Sequence, residues 1–345
     1  MNILNNNKNQ YLVNMWLALM CFLVIIMVFI GGYTRLTDSG LSITEWNPVT
    51  GIVPPLSNNA WQNEFEKYQA SPEYIKINSG MNISEFKFIY LIEFIHRLVG
   101  RVTGLTYLFG LIFFIAKNYI KLKDSGIYFF GLVLFMAQGV MGWYMVKSGL
   151  VSNPYVSHFR LAGHLMLAVF LYMIIFYQLL KQSNNFILIS FKTNIKSVIF
   201  WGRLAIIILL LQIMFGAFVA GLNAGLIYNN FPLMGDSFIP QECFEIKLNL
   251  FFNNPATVQF IHRIMAYILF IVICVFSFKT ISLGNIILSR AAKYLVLALI
   301  FQISLGIITL IYNVPLSFAL LHQFGAILLL SAMMRVYYLA QTANI

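Results

Sequence analysis

Residues Glu93 to Gly104 read Glu-Phe-Ile-His-Arg-Leu-Val-Gly-Arg-Val-Thr-Gly at the head of a long apolar segment. Ionisable side chains in a membrane helix are costly and by default mark function; Glu93, His96, Arg97 and Arg101 fall together here. At 3.6 residues per turn, His96 shares a face with Glu93 before it and with Gly100 and Gly104 after it. That face offers a carboxylate, an imidazole and bare backbone. Arg97 and Arg101 form a neighbouring stripe of guanidinium groups suited to carboxylates or phosphates. The set fits a flat, acid-bearing ligand held through a metal, although a lone His96–Glu93 pair would serve equally as polar glue between helices. The motif is repeated: Gln259 to Arg263 read Gln-Phe-Ile-His-Arg, so Phe-Ile-His-Arg recurs 166 residues later, which points to an internal duplication.

The elements that must position these residues are membrane helices. Sixty per cent of the chain is hydrophobic and only ten per cent charged, outside the soluble globular range. Apolar spans occur at 12–33, 88–116, 126–146, 161–180, 198–222, 257–278, 294–312 and 317–334, eight in all. The net charge of +11 comes from short basic clusters between spans, so it reads as a topology signal and not as a nucleic-acid surface. Lys117, Lys121 and Lys123, then Lys181, Lys192 and Lys196, then Lys279, Arg290 and Lys293 mark the cytoplasmic loops. Ten of the eleven acidic residues fall on the other side, leaving Asp124 inside. Both termini are therefore expected in the cytoplasm, with loops 34–87 and 223–256 outside. The first span continues to full length without a cleavable signal, and a bacterial inner membrane is the expected location. Cys21, Cys243 and Cys274 make neither a disulfide framework nor a thiolate metal cluster.

Each even-numbered span carries one histidine near its outer end: His96, His164, His262 and His322. They lie 21, 17, 17 and 13 residues from Lys117, Lys181, Lys279 and Arg335, so their depths are similar. Each has a small residue four positions on, Gly100, Ala168, Ala266 or Ala326, as a flat ring beside the helix requires. His158 precedes span four in a loop and reads as interfacial. The fold expected is an all-α membrane protein of two tandem, pseudo-symmetric four-helix bundles, residues 1–196 and 197–345. Each has the ligands for one bis-histidine iron porphyrin. Glu93 in the first half is Gln259 in the second, and a carboxylate exchanges protons where an amide does not. The reaction is therefore assigned to the first half and an electron-handling or structural haem to the second. Loop 34–87, with Trp46-Asn-Pro48, Gly51 to Pro55 and an amphipathic stretch Trp61–Tyr68, either caps the first bundle or rests on the membrane through Trp46 and Trp61.

The chain resembles the haem A synthase family of the alphaproteobacterial and mitochondrial type. The likeness is carried by Gly31-Gly-Tyr-Thr-Arg-Leu-Thr-Asp-Ser-Gly-Leu-Ser, Asn63-Glu-Phe-Glu-Lys-Tyr through Pro72-Glu-Tyr, Glu85-Phe-Lys, Glu93 through Arg101, Arg160-Leu-Ala-Gly-His, Gly216-Ala-Phe-Val-Ala-Gly-Leu and Pro232-Leu-Met. It spans nearly the whole chain. It implies an oxidoreductase acting on a methyl group, converting haem O to haem A by successive hydroxylations for cytochrome oxidase biogenesis. By the same resemblance His96 and His164 hold the substrate haem, His262 and His322 hold a haem b cofactor, and Glu93 is catalytic. Arg35, Arg97, Arg101 and Arg263 are the candidates for the haem propionates. Haem O synthase, cytochrome oxidase assembly factors and membrane lipid are the implied partners, nucleic acid is not, and self-association into a homo-oligomer is left open. Two positions depart from the family: only Cys243 stands in the outer loops where many Gram-positive relatives have a cysteine pair, and Asn223 stands where an Asp is expected.

The alternative reading is a dihaem b-type membrane electron-transfer protein with two permanent haems. Two histidines on one iron also leave no open position. Either one histidine lets go during turnover, or the chemistry avoids direct binding at the iron.

Overall fold

The computed structural model describes residues 2–47, 50–149, 155–183, 195–245 and 247–342; Pro48 and Lys192, used above, lie outside them. Its helices are α1 (Asn2–Leu36), α2 (Asn58–Gln69), α3 (Pro72–Lys76), α4 (Ile83–Ala116), α5 (Gly126–Gly149), α6 (His158–Ser183), α7 (Lys196–Gly221), α8 (Glu242–Glu245), α9 (Pro255–Ile281), α10 (Ile286–Ile311) and α11 (Leu316–Thr342). Among the described residues the only β-pairing is an isolated bridge between Met234 and Ser237. Eight helices, α1, α4, α5, α6, α7, α9, α10 and α11, are long and apolar enough to cross a membrane, one for each span expected. Apolar side chains such as Phe109, Val140 and Phe278 stand exposed on them, as lipid-facing positions should.

Local chemistry sets where these helices begin. Asn82 caps α4, accepting from the Ser84 and Glu85 amides while Glu85 reaches back to the Asn82 amide, a reciprocal capping box. Ser57 and Ser71 cap α2 and α3, and Pro72 supplies a residue with no amide to satisfy at the first turn of α3. Asn254 with Pro255 does the same for α9, and Asn285 caps α10. Asn223, noted above as a departure, ends α7 in the left-handed conformation at φ 50°, which Asn adopts more readily than most residues.

The chain divides into two compact units, residues 19–171 and residues 1–18 with 172–345. In the second, contacts run from α7 to α9, α10, α11 and back to α7, closing a ring of four helices. Gly202 permits that closeness: a methyl group there would stand 2.7 Å from Tyr337 and 2.9 Å from Phe276. In the first unit α2 and α5 pack on α4. The outer loop has a core of its own, in which Phe65, Tyr68, Phe86 and Tyr90 are buried with Ile43, Ile89 and Phe94. Trp61 packs edge-on against Tyr90 and Phe86, with ring centroids 5.1 and 6.4 Å apart. Loop 34–87 is thus a folded cap seated on the start of α4, with Trp61 spent on its core.

Candidate functional site

The four histidines of the even-numbered spans each sit against a glycine on the span before. A methyl group at Gly31 on α1 would stand 3.5 Å from His96 Nε2 on α4, and one at Gly142 on α5 would stand 3.6 Å from His164 Cε1 on α6. At Gly216 on α7 it would lie 3.3 Å from His262 Cε1 on α9, and at Gly306 on α10 only 2.8 Å from His322 Cε1 on α11. The last two seats are tight, since carbon atoms at optimal contact lie about 3.5–4.0 Å apart. His96 is within electrostatic reach of His164 in the first unit, and His262 of His322 in the second. All four residues are half-buried by surface area, whereas His158 is the first residue of α6 and buried, 7% exposed, where a loop residue at the interface was expected.

Three glutamines complete the seats, and the sequence reading overlooked them. Gln212 Nε2 lies 3.2 Å from His262 Nδ1 and 3.3 Å from its Nε2, and donates to the His262 carbonyl at 3.0 Å. Gln302 Nε2 lies 3.2 Å from His322 Nδ1 and donates to the His322 carbonyl at 2.9 Å. Gln138 Nε2 makes a single longer approach, 3.4 Å from His164 Nε2. The signal was present: Gln-x-x-x-Gly occurs at Gln138–Gly142, Gln212–Gly216 and Gln302–Gly306, a polar side chain one turn before a glycine in an apolar span.

This arrangement fits iron porphyrins. Among the described residues no three of His, Cys, Asp and Glu cluster to hold a bare ion, but two facing imidazoles suffice for an iron already held by a macrocycle. A ring that gives one nitrogen to iron carries its proton on the other. The buried amide oxygens of Gln138, Gln212 and Gln302 have no hydrogen-bond partner, so each amide has both a donor and an acceptor to offer its ring.

Glu93 is buried and fully engaged. Arg97 donates to Oε1 from Nη2 at 2.6 Å and from Nε at 3.1 Å, while Ser42 Oγ and the Ile43 amide donate to Oε2 at 2.7 and 2.9 Å. Arg97 also donates to the Ile43 and Glu45 carbonyls, both at 3.0 Å, and lies over Trp46. The neighbouring arginine that could compensate a buried carboxylate is therefore present. In the second unit Gln259 and Arg263 both donate to the Tyr228 carbonyl, and Arg263 adds those of Asn230 and Leu233. The arginine after the histidine clamps the outer loop in both units; only the first adds a carboxylate.

A cavity of about 760 Å³ opens between loop 34–87 and α4, where Arg97 and Arg101 meet Lys67, Glu45, Tyr90 and Phe94. Arg101 donates to the Asn47 carbonyl at 3.0 Å. Arg35 is not in this lining and pairs with Asp38 at 2.9 Å. The structure thus brings Arg97 and Arg101 together but leaves Arg35 outside the cavity.

Glu73 in α3 is a further residue that sequence reasoning missed. It is 4% exposed, and its Oε2 has no hydrogen-bond partner. Burial, with the charge of Glu93 next, raises its carboxyl from the ordinary 4.5 to about 8, against the opposing hydrogen bond of Tyr68. Nothing local marks it, since Pro72-Glu73 reads as an exposed first turn. Cys243 is a free thiol whose pKa is pushed up by burial and by Glu242, which disfavours the reactive thiolate.

Residues 14–334 match the COX15-CtaA family, described as cytochrome oxidase assembly protein. The chain is 51% identical over 336 residues to a Rickettsia felis protein named heme A synthase, covering 96% of this chain and 99% of the relative. It is 51% identical over 339 residues to the Rickettsia canadensis protein of that name, covering 97% and 99%. Against the Rickettsia bellii protein so named, identity is 52% over 332 residues, covering 95% and 98%.

Proposed function

Because the chain belongs to the COX15-CtaA family of cytochrome oxidase assembly proteins, we propose that it is a haem A synthase, oxidising a ring methyl of haem O to the formyl group of haem A. The observation that carries this reading is the pair of imidazoles within electrostatic reach of each other in each unit, every ring seated on a glycine of the preceding span. His96 and His164 hold the substrate haem O, and His262 and His322 hold a resident haem b. That haem, when bound, supplies one-electron exchange. The enzyme is an oxidoreductase on a CH₃ group, built as tandem halves 1–196 and 197–345 in a bacterial inner membrane with both termini cytoplasmic.

In the first half Glu93 fixes Arg97, and Arg97 fixes residues 43–45 of the cap over the cavity. Glu93 is the group required for turnover: proton transfer on it needs one of its four hydrogen bonds to open, and Ser42 Oγ is the neutral donor best able to turn away. Arg97 and Arg101 receive propionates through the cavity they line, Arg263 does so in the second half, and Arg35 is the outlying candidate. Haem O synthase and cytochrome oxidase assembly factors are the partners that would deliver the substrate and accept the product. The test is expression in a bacterial host that makes haem O but not haem A, followed by chromatography of extracted haems. Haem A or hydroxylated haem O is expected; haem B and unchanged haem O, with neither product, would overturn the enzyme in favour of a dihaem electron carrier.

A further inference from the structure

Three of the four histidine seats are built from the same parts in the same register. On the odd-numbered span a glutamine lies one turn before the glycine that meets the ring: Gln138–Gly142, Gln212–Gly216, Gln302–Gly306. At the fourth seat the glycine is Gly31, and the residue one turn before it is Met27. The Met27 methyl lies 3.4 Å from where a methyl group at Gly100 would stand. Gly100 follows His96 by four residues, where the other three histidines are followed by Ala168, Ala266 and Ala326. The smaller neighbour leaves room for the thioether.

The substitution changes what holds the ring. An amide approaches the rings of His164, His262 and His322 and fixes which way they face, whereas among the described residues the His96 ring has no hydrogen bond. A thioether is flexible and only a weak acceptor, so Met27 fills volume without holding an orientation. Contact at the Gly31 seat, 3.5 Å, is ordinary, unlike the 2.8 Å at Gly306. Both restraints that hold His322 are thus relaxed at His96.

We propose that His96 is the exchangeable iron ligand of this protein, released from its amide by Met27, while His164, His262 and His322 are the fixed ones. This rests on the haem-binding reading above and deepens it. It names which histidine opens the iron of the first pair, and it makes Met27 a positioning residue by what it withholds.

Carbon monoxide is the probe, because it binds ferrous haem only where an axial position opens. In the purified, haem-loaded protein, carbon monoxide should perturb the absorption of the first-unit haem and leave the His262–His322 haem unchanged. Met27→Gln, which restores the amide, should slow carbon monoxide binding at least tenfold at unchanged haem content. Gln302→Met should do the converse, making the second haem reactive while haem remains bound. Equal reactivity of both haems in the wild type would overturn the proposal, as would unchanged binding in both Met27→Gln and Gln302→Met. If Met27→Gln does not fold, the Gln302→Met gain decides alone. First-unit haem that survives His96→Ala combined with His164→Ala, measured as haem per protein beyond that held by His262 and His322, would instead overturn the haem-binding reading, and the proposal with it.

Discussion

The two histidine pairs use one plan with different stringency. In the second unit both rings meet an amide that also grips the histidine's own carbonyl, and both glycine seats are tight. In the first unit one ring has a single 3.4 Å approach, the other has none, and both seats are loose. In the second unit the residue three before the histidine is the amide Gln259; in the first it is the carboxylate Glu93 in four hydrogen bonds. Rigidity around a ligand suits a group that stays. Latitude suits a group that must change, and the proton-capable residue lies on the same side. On the proposed reading, the two units divide retention from reaction through the contacts around their histidines, with the four histidines themselves alike.

The largest effect should come from removing a histidine of the more tightly seated pair. His262→Ala or His322→Ala should abolish the retained haem, measured as haem per protein by the pyridine haemochrome spectrum, while His158→Ala keeps it. Loss at His158 and retention at His322 would break the comparison.

Glu93→Gln makes the first unit resemble the second at this position. It should lower haem A formation about 100-fold, the lower range for a general acid–base group, with haem content retained and haem O or a hydroxylated intermediate accumulating on chromatography. Wild-type haem A yield from this variant would remove Glu93 from the reaction.

The seats themselves can be compared with one methyl group. Gly306→Ala puts a carbon 2.8 Å from His322 and should cut second-unit haem retention several-fold during detergent washing, whereas Gly31→Ala and Gly142→Ala, at 3.5 and 3.6 Å, should stay near wild type. Equal losses at all three would mean the rigidity difference has no consequence.

The smallest effect concerns the cap over the first unit. Glu73 faces Tyr68, Glu93 and Asp38, and its folded-state pKa of about 8 exceeds the ordinary 4.5. The folded protein therefore binds this proton more tightly than the unfolded chain, so its contribution is full below pH 4.5, falls as pH rises and is lost through about pH 8. Melting followed by tryptophan fluorescence, to which Trp61 in the cap contributes, should drop in midpoint by a few degrees over that window. Glu73→Gln should flatten the slope. An unchanged slope would show that another group sets it.

The sequence by itself determined the eight spans, the four histidines at matched depth and the Glu93–Gln259 difference, because hydropathy, charge and a repeated string are local properties of a chain. The spans needed no packing to be recognised, since each satisfies its own backbone. Only the tertiary structure decided what surrounds each ring. Gly31 and His96 are 65 residues apart, Gln212 and His262 are 50, and whether they touch depends on the rotation and register of two helices that hydropathy does not encode. The same holds for the cap: Trp46 and Trp61 look alike as membrane anchors, yet Trp61 packs into an aromatic core while Trp46 stays 41% exposed beside Arg97. Glu73 was illegible for this reason too. A carboxylate on the first turn of a five-residue helix is ordinary at the surface, and only the folding of loop 34–87 onto α4 buries it near Glu93.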